Sequence, residues 1–172
     1  VSRCQFLLQQ GHTVADVAIL VDEDTGYGFP SKMADIVPGY DFHVCYPPDL
    51  RAMTCKDGRL VHPRGQSFGL LITPDQWVAQ ISTLQHLQKL VQSGARVLGN
   101  PPVAPAGLKD VEARAAFDQL VSELWGETDG KTNTARKTGA GTVYRGIERV
   151  RSRFILTMTA NNLARLPRLL TA

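Results

Sequence analysis

Three consecutive carboxylates, Asp22, Glu23 and Asp24, follow the apolar run TVADVAILV, and a fourth, Asp75, follows LLIT. Carboxylates just past a buried strand suit two kinds of chemistry. Two of them can serve as acid and base in a proton transfer, or several can hold a hard cation through oxygen. Each has a plainer alternative. Side chains adjacent in sequence rarely converge on one point, so residues 22–24 also read as a solvated acidic loop. Asp75 also reads as a helix cap.

The other chemistry-bearing residues are dispersed. His12, His43, His62 and His86 contain no i, i+4 pair, so the sequence predicts no metal site. Cys4, Cys45 and Cys55 are an odd set with no C-x-x-C pair, which argues against zinc and against a disulfide framework. They are expected to pack as small core hydrophobes. The glycine segments TGYGF and KTGAGTVYRG fit neither phosphate-loop pattern, so no nucleotide or other cofactor is expected. Trp77 and Trp125 could stack on a sugar, but they fall at inward or end positions of two predicted helices, which favours the core. Arg145, Arg149, Arg151 and Arg153 form a basic cluster without interleaved aromatics, so nucleic acid is not an expected partner.

These residues need elements to position them. TVADVAILV and SFGLLIT read as buried strands, YDFHVCY as an alternating one, and ARVLG as the strand after a helix. Between LLIT and ARVLG, the positions Trp77, Ile81, Leu84, Leu87 or Gln88, and Val91 repeat every three to four residues. That spacing predicts a helix starting near Thr73 or Asp75 as cap, with Pro74 in its first turn and Gly94 as its stop. The resulting strand–helix–strand unit is long enough for a parallel crossover. PPDLRAM predicts a helical turn, and Lys-Asp-Gly-Arg predicts a type I′ hairpin. LKDVEARAAFDQLVSELWG predicts a second amphipathic helix with Leu108, Val111, Ala115, Leu120 and Leu124 inward. ETDGKTNTARKTGAG reads as a polar loop and TVYRG as a last short strand.

The bulk numbers agree with one soluble α/β domain. The chain has 172 residues, 43% of them apolar, enough for a real core. No run approaches the length of a membrane-spanning helix. The net charge of +3 is unevenly spread. Residues 1–130 hold ten Lys/Arg and fifteen Asp/Glu, net −5, and residues 131–172 hold nine and one, net +8. The opening VSRCQFLLQQGH lacks the basic and long apolar segments of a signal peptide. It reads as the end of a helix already under way, so the sequence is expected to be a piece of something longer.

Taken in order, CQFLLQQGHTVADVAILVDED, GYDFHVC, KDGRLVHPRGQSFGLLITPD, LQKLVQSGARVLGNPP and AFDQLVSELWG resemble one region of the large bacterial α-L-rhamnosidases of glycoside hydrolase family 106. The resemblance covers about Val1 to Gly146. It implies a region that follows a catalytic β/α barrel and is similar to the amidotransferase-like domain of family 42 β-galactosidases, which helps subunits associate. The implied fold is α/β, flavodoxin-like or class I glutamine amidotransferase-like, a three-layer sandwich with a mostly parallel sheet. The family's catalytic carboxylates and calcium site belong to the barrel, and no position here matches them. The turn LLITPDQW also lacks the Cys nucleophile of a true amidotransferase.

The sequence therefore predicts an amidotransferase-like domain over 1–146 and a basic helical tail of uncertain origin over 147–172. Past TVYRGIERV, the text RSRFILTMTANNLARLPRLLTA does not align with the family. A cloning end, a frameshifted terminus or a genuine short open reading frame would each account for it. The first functional expectation is a noncatalytic scaffold, partnered by the missing barrel and by a second copy of itself as a homodimer or higher homo-oligomer. A second is a stand-alone glycosidase that binds carbohydrate and uses two of Glu23, Asp24 and Asp75 as the paired carboxylates that glycosidic cleavage needs. A third is a polyanion-binding module acting through the basic tail.

Overall fold

The computed structural model describes residues 14–23, 41–107 and 111–146, together with positions 4 and 6. Asp24, Leu108 and the tail 147–172 lie outside the described residues.

The centre of the fold is β1 (Val17–Leu20), whose VAIL is buried at every position. A strand with no polar alternation must be covered on both faces. It pairs in parallel with β2 (Phe42–Cys45) on one side and with β6 (Leu70–Ile72) on the other. Beyond β6 come β8 (Arg96–Leu98) and β11 (Gly141–Tyr144), also parallel, and then β10 (Ala135–Thr138), antiparallel to β11. The six-stranded order is β10-β11-β8-β6-β1-β2.

Strand alternation divides the core in two. Ala18, Leu20, Leu71, Val97 and Val143 point into the larger cluster, and Val17, Ile19, Val21, Leu70, Ile72 and Leu98 form a smaller one on the other face. Three described helices, α1 (Pro47–Ala52), α2 (Ile81–Gln92) and α3 (Val111–Trp125), pack on the first face through Leu50, Leu84, Leu87, Val91, Phe117 and Leu124. Full burial of each such side chain is worth roughly 1.5–3 kcal/mol.

A meander of β3 (Thr54–Lys56), β4 (Arg59–Val61) and β5 (Ser67–Phe68) stands beside the main sheet. Asp57 and Gly58 turn it with φ of 52° and 73°. Positive φ at both centre positions is the type I′ geometry expected of Asp-Gly. Arg59 donates through Nε to Ser67 Oγ at 2.7 Å and through Nη2 to Asp16 Oδ1 at 3.2 Å, tying the meander to the start of β1.

Four sequence expectations are corrected here. SFGLLIT is two strands, because at Gly69 the chain leaves β4, and the Gly69 N–H bonds Asp16 O at 2.8 Å. The helix after LLIT begins at Ile81, with Gln80 as its cap, so neither Thr73 nor Asp75 caps it and Trp77 is not helical. Residues 78–79 are instead β7 (Val78–Ala79), paired with β9 (Ala104–Pro105). Pairing across 26 residues, reinforced by Val103 N–H on Trp77 O at 2.8 Å, displaces a local cap. The polar segment before TVYRG contains β10, a strand made by its neighbour β11 rather than by its own composition. On α3, Ala115 is exposed and Phe117 takes the buried position.

Candidate functional site

In an open α/β sheet, ligands sit outside the carboxyl ends of the strands, where the strand order reverses. Here β1 has β2 on one side and β6 on the other, so the reversal lies beside β1. Beyond it is a cleft of about 230 Å³ lined by Asp22, Glu23, Tyr46, Pro47, Pro48, Arg51 and Gln80. Asp22 and Glu23 leave the end of β1, and Tyr46 to Pro48 follow β2. Arg51 comes from the last turn of α1, and Gln80 precedes α2.

The two carboxylates are engaged within the fold. Thr83 Oγ donates to Glu23 Oε1 at 2.6 Å and accepts from Arg51 Nη1 at 2.7 Å. Arg51 Nη1 lies 3.8 Å from the same carboxylate oxygen, and the Glu23 side chain is only 7% exposed. Three elements, β1's end, α1 and α2, are thus joined through one hydroxyl. Asp22 Oδ1 accepts from the Val78 N–H at 3.2 Å, which fixes the entry to β7. Asp75 is exposed and is not among the residues lining the cleft.

The middle of the same edge is dry. Trp77 and Trp125 are buried and meet edge-on, with ring centroids 6.4 Å apart at 64°. Trp77 Nε1 donates to Asn100 O at 2.9 Å and Trp125 Nε1 to Gly99 O at 3.0 Å. Buried indoles need such acceptors. Gly99 has φ of +145°, and a Cβ there would lie 2.1 Å from Thr73 Oγ, so only glycine fits. These tryptophans therefore pack within the core, the alternative to sugar stacking weighed from sequence.

The nucleophile candidates are subdued. Burial, with a smaller contribution from Asp49, pushes the Cys45 thiol up to about 12, and burial also raises Cys55. Such thiols stay protonated and unreactive at neutral pH. His43 stacks on Phe68 at 5.0 Å, and burial lowers its basicity against the pull of Asp49, with His62 lowering it further. His86 Nε2 lies 2.9 Å from Met53 O. Among the described residues no group of three His, Cys, Asp or Glu side chains is placed to hold a metal ion, and no helix is long and apolar enough to cross a membrane.

Residues 1–161 match the α-L-rhamnosidase family, glycoside hydrolase 106. The chain belongs to that family. Within it, this rhamnosidase-family chain is 31% identical over 133 residues to a Formosa agariphila protein named provisionally as a β-glucuronidase. That alignment takes in 74% of the chain and 11% of the relative. The solved structure of a rhamnosidase from Novosphingobium sp. PP1Y superposes on 91% of the chain with a TM-score of 0.64, at 21% identity, using 15% of that protein. That likeness establishes a shared fold. The family match also runs past Gly146, where the sequence resemblance was expected to end.

Sequence reading singled out Glu23 and missed Arg51 and Thr83. Thr83 did carry a signal, since it is a polar residue on the buried stripe of α2. Arg51 carried none, because its partner is 32 residues away.

Proposed function

We propose that this domain is a noncatalytic module of a rhamnosidase-type glycoside hydrolase, flavodoxin-like and akin to the amidotransferase-like domains. Its work is to pack against the catalytic part of its parent enzyme. The observation that carries this reading is the state of the carboxylates. Glu23 is locked to Thr83 and Arg51, Asp22 holds the Val78 amide, and Asp75 stands apart on the surface. Glycosidic cleavage needs two carboxyl groups facing one bond about 5–9.5 Å apart, one of them able to give and take a proton. The indoles that fill the centre of the edge leave little room for a substrate there. The order of the five parallel strands, β2-β1-β6-β8-β11, supports the flavodoxin-like assignment, since it corresponds to the order 2-1-3-4-5.

Nitrophenyl α-L-rhamnoside and β-D-glucuronide test the reading directly. The wild-type chain and the Glu23→Gln, Asp24→Asn and Asp75→Asn variants are all expected to release no nitrophenolate above buffer. Turnover by the wild type that collapses in one of these variants would overturn it.

A further inference from the structure

The cleft beyond β1 has two unlike walls. The half-buried Tyr46 and the exposed Pro48 offer aromatic and pyrrolidine carbon over the buried Pro47, while Asp22, Arg51 and Gln80 offer oxygens and N–H groups beside the largely buried Glu23. A pyranose ring has the matching division, with C–H groups across its faces and hydroxyls around its rim. We infer that the cleft is a binding subsite for a single neutral pyranose unit, one that holds the sugar without cleaving it.

Place, size, charge and rigidity point the same way. The cleft lies where the strand order reverses, the position at which α/β sheets take small ligands. At about 230 Å³ it falls below the roughly 300–1,000 Å³ of sites for drug-sized molecules, so it suits one ring rather than an oligosaccharide. Among the described residues that line it, two carboxylates face one guanidinium, which disfavours a uronate and leaves neutral sugars. Carboxylate and guanidinium groups are strong partners for hydroxyls. Thr83 holds Glu23 and Arg51 in place before any ligand arrives, so little ordering is left for binding. A group fixed in this way suits recognition better than proton transfer, and the inference rests on the noncatalytic reading above.

The test is a nitrogen-15 NMR titration of the 172-residue protein with methyl α-L-rhamnopyranoside, with sodium D-glucuronate as the charged control. Saturable shifts are expected at the Tyr46, Arg51 and Gln80 amides in the millimolar range, and none with glucuronate. Tyr46→Ala should weaken binding about fivefold, as loss of a ring contact of about 1 kcal/mol implies, while Tyr46→Phe retains it. Gln80→Ala should weaken it several-fold without unfolding the protein, because the Gln80 side chain makes no capping bond to α2. No saturable shift, equal shifts with glucuronate, or shifts that Tyr46→Ala and Gln80→Ala leave unchanged would overturn the inference. None of these outcomes touches the noncatalytic reading, which falls only if the sugar is cleaved.

Discussion

Two halves of one sheet edge solve the same problem differently. Past β6 and β8, the Gly99 and Asn100 carbonyls are satisfied by the indole N–H groups of two buried tryptophans. Past β1 and β2, the chain ends on charged side chains around an open cleft. The first arrangement concentrates stability, because removing an indole loses packing and hydrogen bond together. The second distributes it, because each charged group keeps contact with water or with another partner. A domain built this way has a rigid middle and a polar rim available for contact.

The comparison is broken most readily at the indoles. Trp125→Ala should cost about 3–5 kcal/mol of folding stability, measured by urea denaturation, since it opens a cavity and leaves the Gly99 carbonyl without its donor. A loss below about 1 kcal/mol would mean that the dry half is no more critical than the wet one. Thr83→Val keeps the volume and removes the hydroxyl that joins Arg51 to Glu23, and should cost about 1–3 kcal/mol by the same measurement. Equality with Trp125→Ala would erase the proposed difference.

A pH titration should give the smallest effect. His43, stacked on Phe68 and partly desolvated, has its pKa lowered from 6.5. The folded chain then binds fewer protons at this site than the unfolded chain does. Stability contributed here is intact above pH 6.5 and falls as the pH drops through that value toward the lowered one. Melting temperatures should decline on acidification through this window, and His43→Phe should flatten the slope. An unchanged slope in that variant would assign the acid sensitivity elsewhere.

Local signals decided some elements and failed at others for identifiable reasons. VAIL and LLIT were legible because strands covered on both faces have no polar alternation. Lys-Asp-Gly-Arg was legible because positive φ at two successive positions restricts the residue types that fit. The helix after LLIT was read too early. Trp77 has helical spacing from Ile81, but its carbonyl and that of Ala79 are taken by Val103 and Ala106 far along the chain. β10 was missed because ARKT carries no apolar alternation, and an edge strand can be formed by its neighbour's free hydrogen-bonding groups alone.

At the candidate site, the position of Glu23 was legible and its meaning was not. A carboxylate following a buried strand must emerge at the sheet's carboxyl edge, so topology placed it from sequence alone. Whether that carboxylate works on a ligand or ties the fold together depends on what faces it. Thr83 lies 60 residues away along the chain. Periodicity and turn chemistry act over a few residues, so the sequence by itself determined the parallel strands, the hairpin and the family resemblance. The locked Glu23, the indole pair and the cleft were decided only when packing brought distant side chains within hydrogen-bonding distance, where burial makes each unmet polar group costly.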